Sequence, residues 1–232
     1  MAEPPVDPRA IMDWPRFVGA WAAAFDGYDL RHAGPVARWW ARLAYKCGIW
    51  LTRIGGSAPA LTATALVAAL FVPLIAAGGG RWPLVSALLM GAGLVAEASS
   101  RALSVLLGGP MQREGFYRSL VERAAEICWL WAAAVLGAAT VLVLACAILM
   151  AVHEYVRARA AAGGMRAVGA STVGDRPLRI VSTFALLLIA GFVAPMAADL
   201  PAGTSTLVLA LWALLGIFGL VQLLTVVRKA LR

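Results

Sequence analysis

Two pairs of charged residues interrupt the apolar middle of this 232-residue chain. Glu97 and Arg101 are four residues apart, as are Arg118 and Glu122, so each pair can meet on one face of a helix. An arginine or aspartate at the centre of a membrane-spanning helix costs about 2.5 to 3.5 kcal/mol, which disfavours contact with lipid. The four side chains are therefore predicted to face one another or a wet cavity. They form either an ion-pair network that only fixes two helices together, or a functional polar cavity open to the cytoplasm.

Other residue types that carry chemistry are poorly placed for it. Cys47, Cys128 and Cys146 form no CxxC pair, and two of them lie in apolar runs, so neither a disulfide framework nor a zinc site is expected. His32 and His153 have no evident serine or cysteine partner, which disfavours nucleophilic catalysis of the Ser/His/Asp kind. The charged pairs remain the main candidates for a functional site.

The composition is that of a membrane protein. Hydrophobic residues make up 62% of the chain, charged residues only 14%, and the mean hydropathy is +0.82. These values exclude an ordinary soluble core. The 20 Lys and Arg exceed the 12 Asp and Glu, for a net charge of +8. In a chain this apolar, the excess of arginine indicates membrane topology and contact with anionic lipids rather than binding to nucleic acid.

Apolar runs predict an all-α integral membrane protein with six transmembrane helices, because a bilayer core of about 30 Å needs roughly 20 apolar residues per helix. The uncharged stretch from Ile127 to Val152 is either one long span or two helices joined near residues 137–140. Loop charge favours two helices. The predicted spans then cover residues 60–77, 82–107, 115–138, 140–160, 180–198 and 204–227, approximately.

Basic residues cluster before residue 54, around Arg113, between residues 157 and 179, and at the C-terminal end. Arg and Lys concentrate in cytoplasmic loops, and placing all four clusters there requires an even number of crossings between Arg113 and Arg157. Only Arg81 then remains on the opposite side. We therefore predict a protein integral to the cytoplasmic membrane, with both termini in the cytoplasm. The third and fourth clusters comprise Arg157, Arg159, Arg166, Arg176, Arg179, Arg228, Lys229 and Arg232.

A basic and aromatic segment, residues 34–54, precedes the first predicted span. Its pattern is typical of an amphipathic helix that lies in the membrane interface, apolar side down, with arginine heads among the lipid phosphates. The alternative is a solvated helix packed on the protein's own loops. On the first interpretation the helix lies on the cytoplasmic side and opens a membrane domain of residues 34–232, and residues 1–33 form a polar and aromatic extension.

Residues 97–122 resemble the signature of a known family, the CDP-alcohol phosphatidyltransferases. That signature reads D-x2-D-G-x2-A-R-x8-G-x3-D-x3-D, and it aligns without a gap on the segment EASSRALSVLLGGPMQREGFYRSLVE. Glu, Ser, Arg and Glu replace the four aspartates, Arg replaces the first glycine and Glu the second, and Ser-Val replaces Ala-Arg. The motif-equivalent positions are Glu97, Ser100, Arg101, Ser104, Val105, Glu114, Arg118 and Glu122.

Flanking segments extend this resemblance over roughly residues 34–227. Ser119 and Arg123 lie where family members often carry Ser and Arg in a D-S-x-x-D-R run. The segment EYVRARAAAGG from Glu154 looks like the family's S-Y-x-R-A-R-A-E-A-x-G, and GDRPLRI from Gly174 looks like the basic segment that follows it. Upstream, GGSAPALT resembles the family's P-N-x-x-T entry to the first span, with Ala60 in place of Asn.

The resemblance implies a six-helix fold that in the family holds two divalent cations, generally magnesium, on the four aspartates. The cations bind the diphosphate of a CDP-linked donor, and the last aspartate is taken as the base for the acceptor alcohol. Such cations need negatively charged oxygen ligands, whereas the charges of Glu97, Arg101, Arg118 and Glu122 sum to zero. We therefore predict that the two-metal site is lost, that no cofactor is bound, and that the two arginines occupy its region and pair with the two glutamates.

Three functions are compatible with this sequence. The favoured one is a catalytically impaired transferase fold that acts as a partner or regulator of an active enzyme of phospholipid biosynthesis. The second is an active, divergent phosphatidyltransferase in which Arg101 and Arg118 neutralise the diphosphate of a CDP-linked lipid and Glu122 is the catalytic base. The third is a lipid-binding or transport membrane protein, against which the lack of an obvious pair of broken half-helices argues weakly. The sequence leaves enzymatic activity open.

Two further features are implied by the resemblance. Basic residues at the cytoplasmic ends of the family's helices help to receive the acceptor, particularly a phosphorylated one, although positive-inside topology alone also explains such residues. Family members are commonly homodimers, so a homodimer or a heteromer with an active relative is expected, and small residues near Ala132 to Ala138 suit close helix packing. The acceptor or phosphate-binding candidates are Arg157, Arg159, Arg176 and Arg179.

Overall fold

The computed structural model describes residues 12–25, 27–109, 112–165 and 172–230. Arg166 and Arg232, which belong to the predicted cytoplasmic clusters, lie outside these ranges. Throughout the described residues the regular structure is helical, which confirms the predicted all-α class. The helices are α1 (Trp14–Ala24), α2 (Pro35–Arg53), α3 (Ala58–Ala76), α4 (Trp82–Leu106), α5 (Gln112–Val135), α6 (Thr140–Ala162), α7 (Arg176–Val193) and α8 (Leu200–Ala230).

In the part of the chain that the structure describes, five helices are long and apolar enough to cross a membrane, namely α3, α4, α6, α7 and α8. The remaining predicted span, α5, is 24 residues long, or about 36 Å at 1.5 Å per residue. Six charged residues lie in its first fifteen positions, so its composition is not that of a lipid-exposed span. The protein is thus an all-α membrane protein in which the charged half of α5 needs polar neighbours.

A tight turn divides the uncharged stretch of residues 127–152. Helix α5 ends at Val135 and α6 begins at Thr140. Between them, Gly137 has a φ of +88°, and a Cβ built on it would lie 2.8 Å from the Cβ of Ala202. Both the left-handed backbone and the close contact require glycine at this position. The chain therefore reverses direction here and does not continue as one long helix.

The chain divides into two compact units. The first comprises Met1–Ala63 and Val95–Arg118, and the second comprises Thr64–Leu94 and Ser119–Arg232. Helices α3, α4 and α5 each contribute residues to both units. The motif positions up to Arg118 belong to the first unit, and Glu122 belongs to the second.

Helix α1, in the first unit, lies where the sequence indicated only a polar and aromatic extension. Asp13 caps it, because the backbone N–H of Arg16 donates to the Asp13 carboxylate at 3.1 Å, and Pro15 occupies the first turn. The ring of Phe17, which is completely buried, lies 4.9 Å from that of Tyr45 on α2. The Tyr45 hydroxyl donates to the carbonyl of Met12 at 2.9 Å. Aromatic packing therefore docks α1 on α2.

Helix α2 is the amphipathic helix expected before the first span, and small residues on one face fix its position. Ala41, Ala44 and Gly48 are buried. A Cβ on Gly48 would lie 2.9 Å from Cδ1 of Leu106 and 3.4 Å from the Cβ of Ala102, so α2 packs closely against the last turns of α4. Because α4 is a candidate span, α2 lies at the level of its end.

The outward side of α2 carries two adjacent stripes. At 100° per residue, the exposed apolar residues fall in one sector and the exposed basic residues in the next, both away from the buried small residues. No acidic residue is present in the helix. This arrangement suits a membrane surface with anionic lipids. The exposed apolar residues are Val36, Trp39 and Trp50, and the exposed basic residues are Arg38, Arg42, Lys46 and Arg53.

We expect α2 to select anionic lipids in a mixed bilayer. Changing its four basic residues to glutamine should weaken this selection by about 1 kcal/mol per charge removed. The measurement is quenching of tryptophan fluorescence in nanodiscs by brominated phosphatidylglycerol, compared with brominated phosphatidylcholine at the same mole fraction. A matched control changes Arg228 and Lys229 at the end of α8. Equal quenching by both lipids in the unchanged protein would contradict the prediction.

The second unit has its own core, in which α8 packs against α6 and α7. Leu187 on α7 and Leu209 on α8 are fully buried, and the Cys146 thiol of α6 donates to the carbonyl of Leu209 at 3.5 Å. Gly219 on α8 approaches the backbone of Gly174 so closely that an added Cβ would lie 2.2 Å from its nitrogen. The segment that leads into α7 is thereby pressed against α8, which positions the charged start of α7.

Candidate functional site

The first motif carboxylate is paired with an arginine of its own helix. Glu97 and Arg101 lie one turn apart on α4, and Nη2 of Arg101 is 2.9 Å from Oε1 of Glu97. The Glu97 side chain is only 7% exposed and that of Arg101 28%. The ion pair that the four-residue spacing predicts is therefore present, and its guanidinium occupies a position where the family has glycine.

The second motif position, Ser100, is used as a structural anchor. It is completely buried, and its hydroxyl donates to the carbonyl of Ala58 at 2.9 Å. Its oxygen also lies 2.9 Å from that of Thr62, within hydrogen-bond distance of that hydroxyl. Ser100 on α4 thus holds the first turns of α3, where backbone carbonyls and the Thr62 side chain need partners.

Ser104, Glu114 and Arg118 meet within the first unit and join α4 to the start of α5. The Ser104 hydroxyl lies 3.0 Å from the carbonyl of Ser100 and 3.2 Å from Oε2 of Glu114. It accepts a hydrogen bond from Nη2 of Arg118 at 3.2 Å. Arg118 is 5% exposed and Ser104 3%. The third motif position therefore holds a buried cation where the family has a carboxylate.

The donor set of the motif positions does not fit a pair of divalent cations. Such ions need several negatively charged oxygens. In this chain Glu97 is paired with Arg101, the Ser100 hydroxyl is engaged with Ala58, and Arg118 is itself positively charged. Among the described residues, no three His, Cys, Asp or Glu side chains gather as a possible metal site.

The last motif position, Glu122, lies in the second unit at the edge of a larger network. Its Oε2 atom is 3.7 Å from Nη1 of Arg176 and 3.8 Å from Nη2 of Arg123. Both arginines reach further, to Glu126, one turn along α5. As the candidate catalytic base of an active enzyme, Glu122 thus shares two arginines with a neighbouring carboxylate.

Glu126 is the centre of this network, and its side chain is completely inaccessible to solvent. Nη1 of Arg123 lies 2.9 Å from its Oε2, and Nε of Arg176 lies 3.2 Å from its Oε1. Nη1 of Arg179 donates to Oε2 at 2.8 Å and also to Oε1 of Glu154 at 2.9 Å. Glu154 in turn is 2.7 Å from Nη1 of Arg123. The network joins α5, α6 and α7.

Sequence reasoning missed Glu126 and Glu154 as members of a site. A usable signal was present, because Glu122 and Glu126 are four residues apart on a helix that otherwise becomes apolar. The identity of their partners was not visible, since Arg179 is 53 residues from Glu126. Only the packing of α7 against α5 brings these charges together.

The four basic residues predicted to receive an acceptor have different partners within the second unit. Arg176 and Arg179 belong to the Glu126 network, and the ring of Trp129 lies 5.8 Å below the Arg176 guanidinium. Arg157 forms an ion pair with Asp175, whose carboxylate also accepts from the backbone N–H of Thr172. Arg159 is exposed on the last turn of α6. A role of all four in acceptor binding stays a prediction.

Two crystal structures of phosphatidylinositol phosphate synthase (PgsA1) from Mycobacterium tuberculosis are similar to this chain. The synthase with CDP-DAG bound has a TM-score of 0.60 and 18% identity, and the match covers 80% of this chain and 94% of the synthase. The synthase in complex with manganese and citrate has a TM-score of 0.59 and 20% identity, over 81% and 90% of the two chains. No protein-family model and no curated protein matches the sequence.

The similarity is one of fold, and it covers about four fifths of this chain. It confirms, at that level, the resemblance that residues 97–122 and their flanking segments predict. The chain therefore has the membrane-protein fold of a phosphatidylinositol phosphate synthase, the fold of the CDP-alcohol phosphatidyltransferases.

Proposed function

We propose that this protein is a catalytically impaired member of the CDP-alcohol phosphatidyltransferases that acts as a partner or regulator of an active enzyme of phospholipid biosynthesis. The observation that carries the proposal is the ion pair of Glu97 with Arg101 at 2.9 Å, at the start of the motif. A carboxylate held by a guanidinium inside a membrane protein is a poor ligand for a cation, because the pair would have to separate and leave a buried charge without a partner.

The other motif positions support the same conclusion. Ser100 cannot supply the negative charge of an aspartate, and its hydroxyl already anchors the first turn of α3. Arg118, held against Ser104, would repel a divalent cation. The Arg101 side chain also fills space beside the helix that glycine would leave open to a ligand. Two of the family's four aspartate positions, Ser100 and Arg118, thus carry no carboxylate, and a third, Glu97, is already paired with Arg101.

The similarity to a solved synthase structure supports a role in which this protein binds a lipid. The matched synthase was crystallised with CDP-DAG, and a related chain that keeps the fold would keep the shape of a lipid-facing helical bundle. A CDP-linked lipid is therefore the ligand class to test, whether or not it reacts. The same proposal implies that this protein assembles with a second copy of itself or with an active relative, because members of the family are commonly homodimers.

Activity is tested with the purified protein in nanodiscs, supplied with a CDP-linked diacylglycerol, a panel of alcohols and either Mg²⁺ or Mn²⁺. We expect no CMP release above that of empty nanodiscs, because the donor's diphosphate lacks its metal clamp. The triple variant Ser100→Asp, Arg101→Gly, Arg118→Asp is assayed in parallel for regained metal binding. Metal-dependent CMP release by the unchanged protein would overturn the proposal.

The same assay distinguishes a catalytically impaired regulator from an active divergent transferase. In an active divergent transferase, CMP release would need no metal and would be abolished by Glu122→Gln, the variant of the candidate base. A regulator is tested instead by co-expression with an active CDP-diacylglycerol-dependent transferase from the same host. We expect the rate of CMP release in those membranes to change at least several-fold. If the rate is unchanged and the two proteins do not co-purify from those membranes, the partner role is contradicted.

A further inference from the structure

A buried histidine near the end of α6 belongs to a chain of hydrogen bonds in the second unit. His153 is 2% exposed, and its Nε2 atom lies 3.1 Å from Oγ1 of Thr172. The Thr172 hydroxyl donates to Oδ1 of Asp175 at 2.9 Å, and the same carboxylate pairs with Arg157. The contacts therefore run from α6 to the turn of residues 172–175 and back to α6.

The direction of these bonds fixes the protonation state of His153. A hydroxyl has one proton to donate, and that of Thr172 is used on Asp175, so the imidazole donates through its Nε2–H group. The other ring nitrogen, Nδ1, is buried and has no hydrogen-bond partner among the described residues. A second proton, on Nδ1, would create a charged and buried donor without an acceptor, which costs more than a neutral group left unpaired. His153 is therefore neutral while the turn is in place.

The charges that face the imidazole are balanced and already paired. Oδ1 of Asp175 lies 4.0 Å from Nε2, but this carboxylate is paired with Arg157 of α6. Glu154, the next residue of α6, accepts from Arg179 of α7, which also faces the imidazole. Two carboxylates and two guanidinium groups therefore leave no net negative charge to stabilise an imidazolium here.

Helix α8 holds the same turn with neutral groups. The side-chain oxygen of Gln222 accepts from the backbone N–H of Val173 at 3.2 Å. A Cβ built on Gly174 would lie 3.0 Å from Nε2 of His153 and 3.4 Å from the carbonyl oxygen of Gly216, so the turn fits closely between α6 and α8. Because the turn leads directly into the charged start of α7, its position determines where α7 begins.

We propose that His153, Thr172 and Asp175 form an acid-sensitive latch, which holds the turn before α7 while His153 is neutral and releases it when the imidazole takes up a proton. A buried imidazolium would lack an acceptor, so the protein takes up the proton only when the turn opens and the ring meets water. A solvated histidine gains its proton near pH 6.5. The contribution of the latch to stability is thus present above about pH 6.5 and is lost as the pH falls further.

The latch is independent of the proposed function. None of its three residues is a motif position, and its opening requires no CDP-linked lipid. Failure of the CMP-release assay would leave the latch unaffected, and the measurements below contain no lipid donor.

The protonation state of His153 can be measured directly, because the chain contains only two histidines. The full-length protein in nanodiscs, labelled with ¹⁵N-histidine, should show at pH 7.5 a neutral His153 with its proton on Nε2. The variant His32→Gln assigns the two sets of signals, since the His32 side chain is 87% exposed and serves as the solvated reference. An imidazolium, or a proton on Nδ1, at pH 7.5 would refute the latch, and this measurement depends on no substitution at His153.

Opening of the turn is measured by hydrogen–deuterium exchange of residues 172–178, corrected for the intrinsic effect of pH on exchange. One proton taken up on opening should raise the opening constant about tenfold between pH 7.5 and pH 5.5. In His153→Gln the amide can still donate to Thr172 but cannot gain a proton, so its opening constant should not change with pH. No rise in the unchanged protein, or an equal rise in His153→Gln, would overturn the proposal.

Thr172→Val is the matched variant for the middle of the latch. Valine has nearly the same shape as threonine but neither donates to Asp175 nor accepts from His153. The turn should therefore exchange faster than in the unchanged protein already at pH 7.5. Unchanged exchange in Thr172→Val would show that the turn is held without these hydrogen bonds, and the latch would then have no basis.

Discussion

We expect Arg179→Met to lower the free energy of unfolding by about 3 to 5 kcal/mol, the cost of removing one partner from a buried ion pair. Arg179 is 1% exposed and donates to both Glu126 and Glu154. Methionine is close in length but carries no charge, so Glu126, which is completely buried, would lose its shortest contact. The measurement is unfolding of the purified protein in mixed micelles as the fraction of SDS is increased.

The double variant Glu126→Gln, Arg179→Met is the control for this prediction. It removes both buried charges, so it should be more stable than Arg179→Met alone, although the two residues are in contact and their effects should not add. Arg159→Met, on the exposed last turn of α6, should change the free energy of unfolding by about 0.5 kcal/mol or less. Equal losses for Arg179→Met and Arg159→Met would show that the network contributes nothing to stability.

Gly219→Ala is expected to destabilise the protein by about 3 kcal/mol, at the upper end of the range for overpacking. The new Cβ would lie 2.2 Å from the nitrogen and 2.5 Å from the Cα of Gly174, and backbone atoms cannot move aside as a flexible side chain can. The segment before α7 would be forced away from α8. SDS-induced unfolding measures the loss of stability.

Gly203→Ala on the same helix is the matched control. Nothing lies within 4 Å of a Cβ built there, so the substitution adds a better helix former without a clash. It should stabilise the protein by about 0.5 to 1 kcal/mol, because alanine has less backbone freedom to lose on folding. A loss of stability at Gly203 as large as that at Gly219 would mean that helix α8 tolerates no change, and that the contact with Gly174 is not the cause.

Much of the fold follows from the sequence because the bilayer imposes a simple rule. A helix must be about 20 apolar residues long to span it, so hydropathy locates α3, α4, α6, α7 and α8 within a few residues. Helix α1 was not predicted, because a helix of eleven residues is too short to be recognised by hydropathy as a membrane span. Its position depends on contacts with Tyr45 on α2. Tertiary contact decides such short helices more than local pattern does.

The candidate site was predictable only where the contacts are local. The pair of Glu97 and Arg101 follows from a spacing of four residues, and the structure contains it. The partner of Ser100 lies 42 residues away at Ala58, and no spacing rule reaches that far. The network around Glu126 was hidden for the same reason, since it depends on how the start of α7 packs beside α5.

The hydrogen bonds of Ser100 mean that a single substitution at this position would not create a metal ligand. Its hydroxyl donates to the Ala58 carbonyl, and its oxygen meets that of Thr62. An aspartate introduced there alone would bring a negative charge to this carbonyl, with Arg118 still unable to ligate a cation. A metal site would therefore need Ser100 and Arg118 to change together, and Arg101 as well, because its guanidinium would still hold Glu97.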